Sequence, residues 1–437
     1  MVCCTMSVAQ PLPIEHAAGR SALRKANWRL IPLIALGYGI AYMDRVNISF
    51  ASLQMNRDLH FSASVYGFGA GLFFVSYAAC EVPSNLLLYR VGARRWFARI
   101  MVTWGLLAMG MMFVKTPLQF YVVRFLLGMA EAGFFPGVIF YLAQWFPAEM
   151  RARAISRFYI SLPLASVFTG SIAGVLLGLA GKAGLAGWQW LFLIEGLPAL
   201  VLAVVFLIYL PAGPAEAGWL TDDERLWILH YAGRAGDQGH TVSVARSLLD
   251  RRVLQMSLLF LCMLTCSYAY TFSAPAILQG ITGFSDRNVG FLVAAMALLG
   301  VPGMLLNAIH SDRSRERYLH VAVPFLLMGA GFLISGLSIV PLLAVPALAI
   351  ASIAYYSLQG PLLALASSFL HGKSAAAGIA AMNTIGILGG FLGPSWMGLA
   401  KDFTGAYQPG LLTLILPSLL GAATVLLMRR EQGKAPL

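Results

Sequence analysis

Apolar residues recur along the chain in runs of roughly 18 positions or more, separated by charged residues or Gly/Pro breaks. Runs of that length mark helices that cross a bilayer, whereas the strands of a membrane barrel alternate with a period of two. Twelve runs can be placed. The first six lie near Trp28–Phe50, Val65–Tyr89, Trp96–Val114, Leu118–Trp145, Ile155–Ala180 and Trp188–Leu210. The second six lie near Val253–Leu278, Val289–Ile309, Leu319–Val340, Leu342–Leu370, Ala375–Ala400 and Gly410–Met428. One long polar stretch, Pro211 to Arg252, carries Glu216, Asp222, Asp223, Glu224 and Arg225 and separates the two sets. The pattern predicts an all-α membrane protein of twelve transmembrane helices in two six-helix bundles. Its expected divisions are a tail over 1–27, a bundle over 28–210, a linker over 211–252, a second bundle over 253–428 and a tail over 429–437.

Composition agrees. Of 437 residues, 59% are hydrophobic and 11% charged, against about 45–50% apolar and about 25% charged in soluble domains. A water-facing core cannot absorb that excess, because cores grow more slowly than chain length. A soluble enzyme, a disordered chain and a secreted disulfide scaffold are thereby disfavoured. The five cysteines show no metal-ligand spacing and read as small hydrophobes.

The net charge of +12 raises the possibility of nucleic acid, but its placement argues otherwise. Even-numbered loops and the tails hold 23 Lys and Arg, while the opposite side holds 5. That asymmetry predicts cytoplasmic termini in an inner membrane, with the basic residues against anionic lipid and no nucleic-acid partner. The first tail has no apolar core of signal-peptide length, so the first run is expected to stay as a span.

A weak internal repeat runs through the halves. Arg90, in the loop Tyr89–Arg95, and Arg313, in the loop Asp312–Arg317, are 223 residues apart. Gly170–Gly174 in the fifth run is echoed by Gly389–Pro394 in the eleventh. Short basic loops recur in any polytopic protein, but duplicated six-helix halves are a transporter architecture with the ligand near midplane.

Six charges stay inside the apolar runs: Asp44, Arg45, Glu81, Arg124, Glu131 and Glu195. A charge at the centre of a membrane helix costs about 2.5–3.5 kcal/mol on insertion scales, so each needs a partner or a wet cavity. Arg124 and Glu131 lie two helical turns apart on one face of the fourth run. Asp44 and Arg45, late in the first run, reach a similar depth. Two arginines and two carboxylates are therefore expected to converge on one cavity. Arginine holds a carboxylate in a bidentate fork, and a buried carboxyl can cycle between charged and neutral. The competing reading is structural pairing of Asp44 with Arg124 and of Arg45 with Glu131. Glu81 and Glu195 suggest no second site and read as helix–helix partners. Pro136 suggests a kink. No Walker loop, GxSxG elbow or haem motif occurs, and neither an enzyme nor a bound cofactor is expected.

Several segments together resemble the Major Facilitator Superfamily, and within it the anion:cation symporter branch. They are Tyr42–Asn47, Arg124–Gly133 with Phe135-Pro136-Gly137, Trp190–Gly196 and Gly378–Pro394. The resemblance implies a twelve-helix rocker-switch symporter that takes up organic anions with protons or another cation. It implies that Arg45 and Arg124 grip the substrate carboxylate, that Asp44 and Glu131 couple protons, and that Tyr77 and Asn383 line the cavity. The chain departs from the superfamily loop signature, with Asn85 in place of a glycine and Tyr89 in place of an aspartate, while the second copy keeps Asp312. Pro163 stands where sugar-acid members carry a polar residue. The set looks closer to members taking tartrate-like acids or aromatic acids such as phthalate and hydroxyphenylacetate. The expectation is proton-driven uptake of a small organic carboxylate (tartrate-like, aromatic or sugar acid). Rival readings are drug or metabolite efflux by the same fold, a membrane-embedded enzyme, and a channel or sensor.

Overall fold

The computed structural model describes residues 17–159, 161–231, 250–338, 340–369 and 375–432. Helices and short 3-10 turns are the regular elements among them. The first half comprises α1 (Ala17–Asp58), α2 (Ala63–Val91), α3 (Ala93–Gly110), α4 (Pro117–Glu131), α5 (Phe134–Ala143), α6 (Ala148–Tyr159), α7 (Ser161–Leu177) and α8 (Gly187–Tyr209). A short helix α9 (Asp222–Tyr231) follows in the polar stretch. The second half comprises α10 (Arg251–Thr282), α11 (Asp286–Ser314), α12 (Leu319–Leu337), α13 (Pro341–Phe369), α14 (Ala375–Ile387), α15 (Gly389–Thr404), α16 (Gln408–Thr413) and α17 (Ile415–Gln432).

Among the described residues nine helical segments are long and apolar enough to cross a membrane. The other three expected spans are helical but fall outside that set. In α1 the apolar run is diluted by Asp44 and Arg45, the eleventh span turns at Leu388 between α14 and α15, and the fifth is described as α6 and α7 on either side of residue 160, which lies outside the described residues. Large apolar side chains such as Leu36, Val201 and Leu342 stay more than half exposed on the outside. In hydrocarbon that carries no penalty, since lipid tails are as apolar as leucine.

Local chemistry fixes the helix starts. Ser62 caps α2 by accepting from the Val65 amide at 3.2 Å, and Ser285 caps α11 by accepting from the Asn288 amide at 3.4 Å. The two serines repeat the offset of Arg90 and Arg313, so the repeat extends to the caps. Thr116 caps α4, where Pro117 takes the first position and loses no hydrogen bond.

The fourth span breaks directly after Glu131. Ala132 leaves the helical region (ψ 134°), and Gly133 is left-handed at φ +86°. A β-carbon on Gly133 would lie 2.2 Å from Ser84 Oγ, whose hydroxyl donates to the Ala132 carbonyl at 2.6 Å. Glycine is required there by backbone and by space. The expected kink at Pro136 is thus displaced. Pro136 sits in the first turn of α5, where a missing N–H is tolerated.

The helix α1 begins at Ala17, upstream of Trp28, so part of the expected tail continues the first span. This extension docks on α9. Lys25 Nζ donates to the Glu224 carboxylate at 2.7 Å, and Trp227 covers Gly19 so closely that a β-carbon would meet the ring at 2.5 Å. Trp219 stacks on Trp145 at 5.3 Å, and the Arg29 guanidinium lies over the Trp219 ring at 5.5 Å. Desolvation pushes the Glu224 carboxyl up, but bonds from Lys25, Ser21 and the Thr221 amide outweigh it and leave the group at about 2.

The halves meet along α2 with α15 and α7 with α11, at the end of the molecule opposite to Ala17 and Gln432. Backbones approach until side chains no longer fit. A β-carbon on Gly67 would lie 2.2 Å from the Pro394 carbonyl, and one on Gly170 would lie 2.7 Å from that of Gly290. The Asp402 carboxylate accepts from the Ala63 and Ser64 amides at 3.0 and 2.8 Å, sealing the start of α2. Asp286 accepts from Gln54 at 2.8 Å. Deeper in, Tyr66 donates to the Phe272 carbonyl at 2.9 Å and Tyr356 to Ser166 at 2.7 Å.

Candidate functional site

Beneath these links a cavity of about 100 Å³ opens between the halves. The first half contributes Tyr38, Tyr42 and Arg45 from α1, Tyr77 from α2, Phe135 from α5 and Leu162 from α7. The second contributes Phe260, Met263, Leu264 and Tyr268 from α10, Tyr355 and Gln359 from α13, and Asn383 and Ile387 from α14. Arg45 is the one charged side chain in that lining among the described residues. An apolar, aromatic chamber with a few placed polar groups is the usual form of a small-molecule site.

Arg45 is held from several directions. Its Nη2 donates to Glu131 in a close ion pair. Its Nη1 donates to the Tyr268 hydroxyl at 3.3 Å, across the boundary between the halves. The guanidinium lies over Phe73 at 5.4 Å and Tyr77 at 5.5 Å, in cation–π range. Its Nε is buried without a hydrogen-bond partner. Arg45 thus keeps its Nε–H unspent.

Asp44, Arg124 and Glu131 lie one layer back from the lining. Arg124 is 1% exposed and does not line the cavity. Its Nη2 donates to the Ala70 carbonyl at 3.0 Å, and it packs on the same Phe73 ring at 5.0 Å. Asp44 points towards α3, where it accepts from the Trp104 indole N–H, and its second oxygen takes Asn47 at 3.4 Å. Glu131 terminates α4 and faces Arg45. Tyr77 and Asn383 line the cavity.

The expected meeting of two arginines and two carboxylates around one chamber is therefore corrected. One pair, Arg45–Glu131, forms at the chamber, while Asp44 turns to an indole and Arg124 to a backbone carbonyl, with the Arg124 Nε buried and unpartnered. No Asp44–Arg124 ion pair exists among the described residues. Glu81 reaches a partner that sequence spacing did not anticipate: Asn383 Nδ2 donates to it at 2.7 Å from the other half. Glu195 is buried at 2% exposure, and neither of its carboxylate oxygens has a hydrogen-bond partner.

Sequence reasoning missed Trp104, Tyr268 and Gln359. Trp104 and Gln359 leave no local signal, being apolar-run residues whose facing depends on tertiary packing. Tyr268 did leave one. It stands 223 positions from Arg45, the offset already seen between Arg90 and Arg313.

Comparison with known proteins agrees with this architecture. The model of the Major Facilitator Superfamily matches residues 34–394. An Agrobacterium vitis protein provisionally named for tartrate transport is 45% identical over 415 residues, covering 94% of this chain and 92% of the relative. A quinolone resistance transporter of Acinetobacter baumannii is 39% identical over 405 residues, covering 92% of this chain and 93% of the relative. The inner membrane transport protein RhmT of Escherichia coli is 33% identical, covering 94% and 95%. Among solved structures, a bacterial homologue of the human lysosomal transporter Spinster superposes with a TM-score of 0.75 at 16% identity, covering 95% of this chain and 98% of that one. The xylose transporter XylE of E. coli superposes with a TM-score of 0.72 at 14% identity, covering 94% and 98%. At such identities the two structures speak for the fold. With its paired six-helix halves and a cavity between them, the chain is a membrane transporter belonging to the Major Facilitator Superfamily.

Proposed function

We propose that this transporter takes up a small organic carboxylate together with protons by alternating access, across a cell inner membrane and with both termini in the cytoplasm. The observation that carries the reading is the position of Arg45: the charged group of an aromatic chamber, shared between Glu131 of one half and Tyr268 of the other. A guanidinium in a low-dielectric chamber favours an anion and can hold a carboxylate through two parallel bonds. The relative named for tartrate transport supports the substrate class. The basic bias of the loops on the side of the termini supports the orientation.

In this reading Glu131 and the substrate compete for one guanidinium. Protonation of Glu131 releases Arg45, the carboxylate takes its place, and the neutralised site lets the halves rock. Asp44 is assigned the second protonation, through its bond to Trp104. Arg124 contributes positive potential from behind Phe73, and Tyr77 and Asn383 shape the chamber. The test is uptake of labelled tartrate, aromatic acids and sugar acids into proteoliposomes under an imposed inward proton gradient. Accumulation that collapses with the gradient supports the reading, and carboxylate transport indifferent to the gradient removes the coupling.

A second reading is efflux of carboxylate-bearing compounds, favoured by the relative named for quinolone resistance. A quinolone is itself an aromatic carboxylic acid, so the same arginine serves. Transport direction in oriented vesicles separates the two.

A further inference from the structure

Polar links between the halves form a series along the interface. Starting from the end opposite the termini, it runs through Asp402 to Ala63 and Ser64, Asp286 to Gln54, Tyr66 to Phe272, Tyr356 to Ser166 and Arg45 to Tyr268. Glu81 and Asn383 make the last of them on the side of the termini, at 2.7 Å. This link differs from the others. Its acceptor is a carboxylate 6% exposed, inside a span, and no cation lies within ion-pair distance among the described residues. The second oxygen, Oε2, is buried and makes no hydrogen bond. The charged groups packed towards this part of α2 make their bonds to other partners. Arg45 of α1 is committed to Glu131 of α4, and Arg124 of α4 to the Ala70 carbonyl. Tyr77, one turn earlier on α2, lies under the Arg45 guanidinium. From the other half the partner is the neutral Asn383, which also lines the cavity.

An ionised carboxylate cannot remain dry without a cation or several donors. We propose that Glu81 is a proton-operated latch between the halves: neutral when linked to Asn383, and ionised and hydrated when the halves part on the side of the termini. This rests on the proposed proton-coupled reading and adds to it a further proton-binding residue beyond Asp44 and Glu131. Glu81 takes up its proton as the latch closes and releases it from the same oxygen to water on the side of the termini once the latch opens. Because Asn383 serves both the latch and the cavity, a bound anion and the latch address one side chain.

The test needs no substrate. Spin labels on Arg90→Cys and Arg313→Cys, equivalent positions of the two halves at the side of the termini, report the separation there by electron–electron double resonance. The background replaces the other cysteines. Across roughly pH 5 to 9, where buried carboxyls titrate, the unmutated latch is expected to shift from a short to a long separation as pH rises. Glu81→Gln, which keeps an acceptor for Asn383 and cannot ionise, is expected to lose that shift and hold the short separation. Asn383→Ala is expected to lose it and hold the long one. A Glu81→Gln protein that keeps the full pH-dependent shift overturns the proposal, and so does the absence of any shift in the protein with Glu81 intact. Failure of carboxylate uptake in proteoliposomes would instead strike the transport reading and leave this distance measurement standing.

Discussion

Arg45 and Tyr268 stand at equivalent positions of the two halves, 223 residues apart, and meet across the interface through a hydrogen bond of 3.3 Å. A duplicated fold places its equivalent helices face to face about a central axis. Here one copy supplies a cation and the other a phenol at the same point. The asymmetry gives the chamber one charged wall, and the phenol orients the guanidinium without neutralising it.

Tyr268→Phe removes that bond and leaves the ring. A hydrogen bond to a charged group is worth about 1.5–3 kcal/mol; this one orients the guanidinium rather than touching substrate, so the lower end applies and carboxylate affinity is expected to fall by roughly 10-fold with folding unchanged. Equilibrium binding to purified protein checks it, and an affinity equal to that of the parent removes Tyr268 from the site.

Glu131→Gln mimics a permanently protonated side chain and frees Arg45. Substrate exchange between equal pools is expected to persist, whereas accumulation driven by a proton gradient is expected to vanish. Counterflow and gradient-driven uptake measured on one preparation separate the two, and full pH-driven accumulation by this variant contradicts the coupling role.

The bond between Trp104 and Asp44 is buried on both sides. Trp104→Phe strands the carboxylate, at a cost of about 1–3 kcal/mol. The detergent-solubilised variant is expected to melt at lower temperature, and Asp44→Asn in the Trp104→Phe background is expected to recover part of the loss, because the stranded group no longer carries charge. A double-mutant cycle without such recovery removes the link.

Much of the architecture was legible because lipid imposes a strict pattern on sequence: long apolar runs, broken by charges that prefer one side. The twelve spans, the repeat, and Arg45 with Glu131 at one site all follow from it. What spacing could not supply was which way a charge turns within its layer. Asp44 and Arg45 are neighbours in sequence, so their side chains diverge by about a quarter turn around the helix, one facing α3 and the other the cavity. The break after Glu131 was likewise hidden, since the eye is drawn to Pro136 while the left-handed Gly133 and its contact with Ser84 set the position. Glu81 lacked a visible partner because Asn383 lies 302 residues away in the other half.

Outside the membrane, Glu224 sits at about 2. Its folded value lies below the ordinary 4.5, so the stability it contributes is fully present above 4.5 and is lost as pH falls through about 2. Docking of α9 on α1 is therefore expected to be unchanged from neutral pH down to mild acid. Glu224→Gln removes the charge-assisted bond from Lys25 at every pH. Limited proteolysis of the segment around α9 is expected to accelerate in that variant, and equal cleavage rates would show that the aromatic contacts of Trp219 and Trp227 hold the helix alone.

The central claim, that Arg45 is the grip for an anionic substrate, is tested most directly by equilibrium binding of tartrate, aromatic acids and sugar acids to the purified protein and to its Arg45→Gln variant. At least one of these carboxylates is expected to bind the parent and to lose roughly 10- to 100-fold in affinity in the variant, the scale of a charge-assisted pair, while the variant keeps a cooperative melting transition. A folded Arg45→Gln protein that binds the same carboxylate as tightly as the parent would contradict the account.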